Sequence, residues 1–370
     1  MTGVLDCRGV TADGLMRVDD ADCGPEWLRA ALQLAVLLEL ATIPVYSCGL
    51  WSIKDPHADD AVHTALRDIV FDEMTHLALA ANILRATGSA PVLTDPRTVP
   101  AYPGPLPGGL RPGLTVHLTG LDRQAADMYA RIELPDRPLA ADAGASTGAG
   151  GTMGAFYAKV RTAVAHNRHL FDADPGPQLD VDLSKRYAGG SAITPIRGWQ
   201  AADTAIGVIM EQSEGTGDRP DNPYPAGPGE PAHYYVFREI ARGRKLARTG
   251  EDGEPGVPAW DFTGPPVPMP ATHPMGRVPG GGWANDPVNR PTGGVEVVLD
   301  DFNAHYSSML RALESVWRAT SKAAQYAELS NAIRSMGHMR ALARVLVRIP
   351  LPDGQGATYG PEFRYVDREP

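Results

Sequence analysis

The chain has 370 residues, 43% of them hydrophobic, enough for a substantial core in one to three domains. Its net charge is -10 with no Lys/Arg cluster, which argues against nucleic acid as a partner. Cys7, Cys23 and Cys48 have no paired spacing, which argues against a disulfide framework or a zinc knuckle and makes a reducing cytoplasm the expected location.

The first twenty residues show no basic segment followed by an apolar stretch, so no secretory signal is expected. No apolar run reaches the ~20 residues of a bilayer span, so no membrane partner is expected. Helix A is predicted over residues 26–41, with Pro25 in its first turn and Pro44 ending or kinking it. Helix B is predicted over 59–87, capped by Gly88. A Pro/Gly-rich segment, 89–119, follows and is apolar enough in places to line a pocket. A short helix (122–132) ends at Glu133, and helix C is predicted over 153–171 after a small-residue loop. Helix D spans 200–214 and stops at Gly215. Another helix runs over 233–246, then a second Pro/Gly segment, then two long helices over 295–320 and 322–347. The expected fold is all-α, a four-helix bundle within 1–248. Residues 249–370 supply a long loop and a C-terminal helical extension packed on it.

Acids and histidines fall where these helices should be apolar. Glu39 interrupts the run from Leu34 to Leu38, and Glu73 and His76 stand i, i+3 on the face of helix B that carries Leu66, Ile69 and Ala80. Glu211 and Glu214, again i, i+3, close the apolar run 205–210, and His233 opens the next helix. A carboxylate buried alone costs several kcal/mol, so it neutralises, pairs or binds a metal. Each signal is weak by itself, because a lone Glu in an apolar helix is commonly a core residue bonded to an Arg or Tyr. Their coincidence across helices matches a carboxylate-bridged metal site in a bundle. Carboxylate oxygen with imidazole nitrogen suits iron or manganese, with zinc less excluded.

Other signals carry less. Gly148 to Gly151 lacks the strand and the Lys-Ser/Thr of a phosphate loop. His166 and His169 read as a half-exposed face, and His305 and His338 as packing or surface.

Five blocks, 38–46 (LELATIPVY), 72–84 (DEMTHLALAANIL), 99–104 (VPAYPG), 211–216 (EQSEGT) and 233–240 (HYYVFREI), resemble the ferritin-like domain of the iminophenyl-pyruvate dimer synthase family. The resemblance covers about 27–246 and extends loosely to 360–365 (GPEFRY). Members of that family act in bisindole pathways such as violacein and rebeccamycin, oxidatively coupling imines of indole-3-pyruvate. They are much longer, and this chain is similar to their ferritin-like portion.

The resemblance implies metal ligation by Glu39, Glu73, His76, Glu214 and His233. It departs at Ser213, where the family has Gly, and in helix C, which offers no early acid. Glu133 is then the expected substitute, and Glu211 either a bridging ligand or an outer partner of His76 or His233.

The leading expectation is a non-haem iron oxidoreductase with one or two iron ions, using dioxygen or peroxide on an amino-acid-derived substrate. Haem is left open as an additional cofactor. Tyr46, Trp51, Tyr102 and Tyr234 are the expected substrate-stacking residues, in a pocket between the bundle end, the 89–119 segment and the 215–232 loop. Two alternatives stay open: a ferritin-like iron-storage or oxidant-scavenging protein, and a metal-free protein that binds a pathway intermediate or partner enzyme. A homodimer is compatible with the sequence.

Overall fold

A computed structural model describes residues 11–55, 61–139, 151–174, 176–187, 189–215, 220, 231–249 and 260–367. Its helices are α1 (Ala12–Met16), α2 (Pro25–Ser52), α3 (Ala61–Ala86), α4 (Arg123–Ile132), α5 (Met153–His166), α6 (Leu183–Tyr187), α7 (Trp199–Ser213), α8 (His233–Arg242), α9 (Gly294–Val316) and α10 (Lys322–Leu346). The described strands form two short antiparallel ribbons, Val181–Asp182 with Ala192–Ile193 and Ala247–Arg248 with Trp260–Asp261.

The first predicted helix is longer than its sequence suggests. α2 continues through Pro44 to Ser52. Proline removes the donor that would reach the Leu40 carbonyl, and side chains bond the carbonyls on either side of it. Thr42 Oγ1 donates to Glu39 O (2.8 Å), and Tyr102 Oη donates to Ala41 O (2.6 Å). The resulting helix is long and apolar enough, by length and composition, to cross a bilayer, contrary to the expectation from the shorter run. In the most apolar stretch of α2, 83% of residues are buried inside the protein, and the helix carries Glu39, as suits the central helix of a bundle.

Local chemistry sets several ends. Asp122 accepts from Ala125 N to cap α4, Thr152 accepts from Ala155 N to cap α5, and Gly243 ends α8 in the left-handed conformation at φ 74°. That glycine stops α8 four residues before the predicted end. Helix C also ends early, at His166, followed by a 3-10 turn over Arg168–Phe171.

α2 packs along α3, α4 along α8, and α5 along α7, and the last two pairs close onto the first. α9 and α10 form a hairpin beside α2. Glu314 of α9 accepts from the backbone of Leu93 and Thr94, Trp317 Nε1 donates to Asn82 Oδ1 (2.9 Å), and Arg344 of α10 donates to Ile53 O (2.8 Å). The 89–119 segment is tied down as well: the Gln33 amide bonds both the N–H and the C=O of Val92.

Candidate metal centre

Five side chains able to ligate a metal meet inside the bundle. Glu39 comes from the middle of α2, and Glu73 and His76 from one face of α3. Glu133 is the C-cap residue of α4, and His233 is the first residue of α8. None is more than 3% exposed. They form two groups, Glu39–Glu73–His76 and Glu73–Glu133–His233, and in each the three ligand atoms lie within 4.8 Å of one another. Glu73 belongs to both. The α4–α8 pair thus supplies a second half-site to the one built by α2 and α3.

Each carboxylate has one oxygen engaged by a hydroxyl. Tyr157 donates to Glu39 Oε1, Tyr46 donates to Glu133 Oε1, and Thr42 Oγ1 donates to Glu73 Oε2 (2.6 Å). The remaining oxygens, Glu39 Oε2, Glu73 Oε1 and Glu133 Oε2, are buried without a well-formed hydrogen bond, and so are Nδ1 of His76 and Nδ1 of His233. Four of these atoms face each other as ion pairs: His233 Nδ1 lies 3.0 Å from Glu73 Oε1 and His76 Nδ1 3.6 Å from Glu39 Oε2. His76 Nε2 lies 2.8 Å from Gln212 Oε1, and Gln212 Nε2 donates to Ser191 Oγ, which turns the amide oxygen toward the ring. His233 Nε2 lies 3.4 Å from Asp72 Oδ2. Both rings therefore keep Nδ1 for the centre. Buried polar atoms in proteins are nearly always satisfied. Five unsatisfied ones on carboxylates and imidazoles, converging as two groups of three, fit a pair of cations.

The electrostatics point the same way. Burial opposes a charge on His76, but Glu39 and Glu73 outweigh it and raise its pKa to about 9. Burial likewise opposes His233, and Asp72 and Glu73 lift it to about 10. Burial, with Glu73 beside it, pushes Glu133 up to about 8. Glu39 is raised by burial, while Glu73 lies below its ordinary value because the two histidines overcome its burial. The cluster is short of positive charge, and protons are drawn to where cations would compensate it.

Some expected site residues sit elsewhere. Glu214 is buried, but it lies outside both ligand groups, as its Oε1 accepts from Gly154 N (2.7 Å). Burial raises its pKa well above the carboxylate range, against the nearby Arg111. Glu211 is exposed on α7. The inward face of that helix carries Ala202, Ala205, Ile206, Ile209, Gln212 and Ser213, so the 3.6-residue period turns Gln212 inward and Glu211 out. Of the expected substrate-stacking residues, Tyr46 bonds Glu133 at the centre and packs against Tyr129 and Phe237. Tyr102 is a strut onto Ala41, Trp51 stacks on Phe363 at 5.9 Å, and Tyr234 packs edge-on against Tyr235. All four are engaged in packing. Most of the expected 215–232 pocket wall, at 216–219 and 221–230, lies outside the described residues, as do Gly148 to Gly150 and the predicted start of helix B at 59–60. His305 and His338 stack on each other at 4.6 Å between α9 and α10.

Four further residues belong to the centre: Thr42, Asp72, Tyr157 and Gln212. The α7 period singles out Gln212 only once packing fixes its phase. Tyr157 stands on helix C, where an acid was sought and a phenol is found. Nothing in the sequence signals that Thr42 bonds Glu73.

A family model described as ferritin-like matches residues 32–242. No curated protein matches the chain. Among solved structures, the crystal structure of a ferritin-like protein from Caulobacter vibrioides at 1.95 Å resolution is similar in fold: 21% identity, 92% of this chain and 97% of that one covered, TM-score 0.54.

Proposed function

The chain belongs to the ferritin-like family, and from that premise we propose that it is a non-haem iron oxidoreductase acting with dioxygen or peroxide on an amino-acid-derived substrate. The observation that supports this reading best is the convergence of five buried carboxylate and imidazole atoms, none with a well-formed hydrogen bond, around the shared Glu73. A core built for packing alone gains nothing from that arrangement.

Three carboxylates and two imidazoles, without a thiolate, are a donor set for iron or manganese. A metal in such a site supplies activation of oxygen and a reservoir of electrons. The protein's part is positioning. Tyr157, Tyr46 and Thr42 fix the three carboxylates, and Gln212 and Asp72 orient the two rings. Tyr129 and Phe237, packed on Tyr46 at 5.1 and 4.8 Å, place an apolar wall behind Glu133. Five protein ligand atoms are few for two ions, which leaves coordination positions for oxygen and substrate.

The substrate class rests on the resemblance to the iminophenyl-pyruvate dimer synthases, which supports an aromatic imine derived from an amino acid. The test has two stages. Protein loaded anaerobically with Fe(II) is analysed for iron beside Glu73→Ala and His76→Ala, and oxygen uptake is then followed with imines of aromatic 2-oxo acids. Iron bound by the wild type, abolished in Glu73→Ala and reduced in His76→Ala, with imine-dependent oxygen uptake, is the expected result. Protein that takes up no iron has no oxidoreductase chemistry of this kind, and the metal-free binding reading replaces it. Iron without imine-dependent uptake removes the substrate class alone.

A further inference from the structure

The two halves of the centre are built from the same kinds of side chain. Each has a terminal carboxylate held by a tyrosine, Glu39 by Tyr157 and Glu133 by Tyr46. Each has an imidazole whose Nδ1 faces inward, and both use Glu73. They differ behind the imidazole. The ring of His76 is backed by the neutral amide of Gln212 at 2.8 Å, and the ring of His233 by the carboxylate of Asp72 at 3.4 Å. Asp72 is 5% exposed and Gln212 fully buried, so neither acceptor is shielded by bulk water.

An anionic acceptor behind a ligating imidazole draws on its N–H, increases electron density at the other nitrogen and adds a negative charge near the ion. A neutral amide orients the ring and does little else. From this difference behind the rings we infer that the two metal positions are inequivalent: the Glu73–Glu133–His233 position binds a divalent ion more tightly than the Glu39–Glu73–His76 position, and Asp72 is the positioning residue that makes it so. This inference rests on the metal-centre reading and adds an order of filling to it.

The test is a titration of chelator-treated full-length protein with cobalt(II), followed by visible absorption and by equilibrium dialysis. Removal of such an outer partner weakens metal binding by roughly 10–100-fold. The wild type is expected to fill in two steps separated by about that factor. Asp72→Asn should weaken the first step and leave the second in place. Gln212→Glu, which gives His76 the same kind of partner, should strengthen the second step and draw the two together. His233→Ala should remove the tight step and His76→Ala the weak one, and this pair of variants assigns the steps even if Asp72→Asn does not fold.

Two ions binding with one affinity in the wild type, or a first step unmoved by Asp72→Asn, overturns the inference while leaving the metal centre intact. So does loss of the tight step in His76→Ala. If one ion binds, its loss in His233→Ala and retention in His76→Ala supports the inference, and the reverse overturns it. Protein that binds no cobalt overturns the metal-centre reading together with the inference.

Discussion

The Tyr157 phenol on α5 donates a hydrogen bond to Glu39 Oε1 on α2, leaving Oε2 facing His76 Nδ1 at 3.6 Å. Tyr46 treats Glu133 the same way. The phenols therefore decide which oxygen of each terminal carboxylate is offered to the centre. Tyr157→Phe should keep the fold and weaken metal binding by roughly 10–100-fold, because the freed carboxylate can rotate. Tyr46→Phe should do the same. Competition against a chelator reads the loss, and unaltered affinity in both variants would mean that the phenols do not position the ligands.

Shared and terminal ligands should differ in stoichiometry. Glu73 belongs to both ligand groups, Glu39 to one. Glu73→Ala is expected to abolish binding of two ions, whereas Glu39→Ala should leave the His233 half-site able to bind one. Elemental analysis of the two variants decides this. Equal metal content in both would contradict the sharing of Glu73.

Gly154 and Glu214 make a third test. A Cβ at position 154 would stand 2.2 Å from Glu214 Oε2, beside the hydrogen bond that Gly154 N donates to Oε1. Alanine improves helix propensity by about 1 kcal/mol over glycine, but displacing a buried carboxylate from its donor costs ~1–3 kcal/mol. The clash should win, so Gly154→Ala lowers the midpoint of chemical unfolding. Metal content should survive in this variant and in Glu214→Gln, since Glu214 is outside both ligand groups. Loss of metal in Glu214→Gln would return that residue to the ligand set.

pH should act on the metal-free chain with a definite sign. His76 is raised from 6.5 to about 9 and His233 from 6.5 to about 10. Their contribution to stability is complete below the ordinary histidine value and is lost as pH rises through the folded values. Glu133, raised from 4.5 to about 8, has the same sign, because its folded form holds the proton more tightly. Chelated protein should therefore lose stability as pH rises, Glu133 contributing between about pH 4.5 and 8 and the two histidines between about 6.5 and 10. Metal affinity should climb over the same window as the ligands shed protons. Urea unfolding midpoints that stay level across that range in chelated protein would count against the charge balance described here.

The sequence by itself determined the helical class, the core faces of the main helices and four of the five clustered ligands. Glu39, Glu73 and His76 were legible because an ionisable group on an apolar helical face is costly unless something compensates it, and His233 through its place at the start of a helix in a block that resembles a known family. Glu133 was legible at one remove, through the missing acid of helix C. Tertiary structure alone decided the rest. Pro44 sits inside a helix whose nearby carbonyls, those of Glu39 and Ala41, accept from Thr42 and a distant Tyr102. Gln212 rather than Glu211 faces the centre because the α7 phase is fixed by packing against α3 and α5. Tyr46 is a clamp on Glu133 and Trp51 a packing partner of Phe363, though both read as substrate-stacking residues in the chain. Helical period reports which side of a helix is buried. Which buried groups then meet depends on how several helices close on one another, and the hydrogen bonds that decide each ligand's free atom span up to 161 positions in the chain.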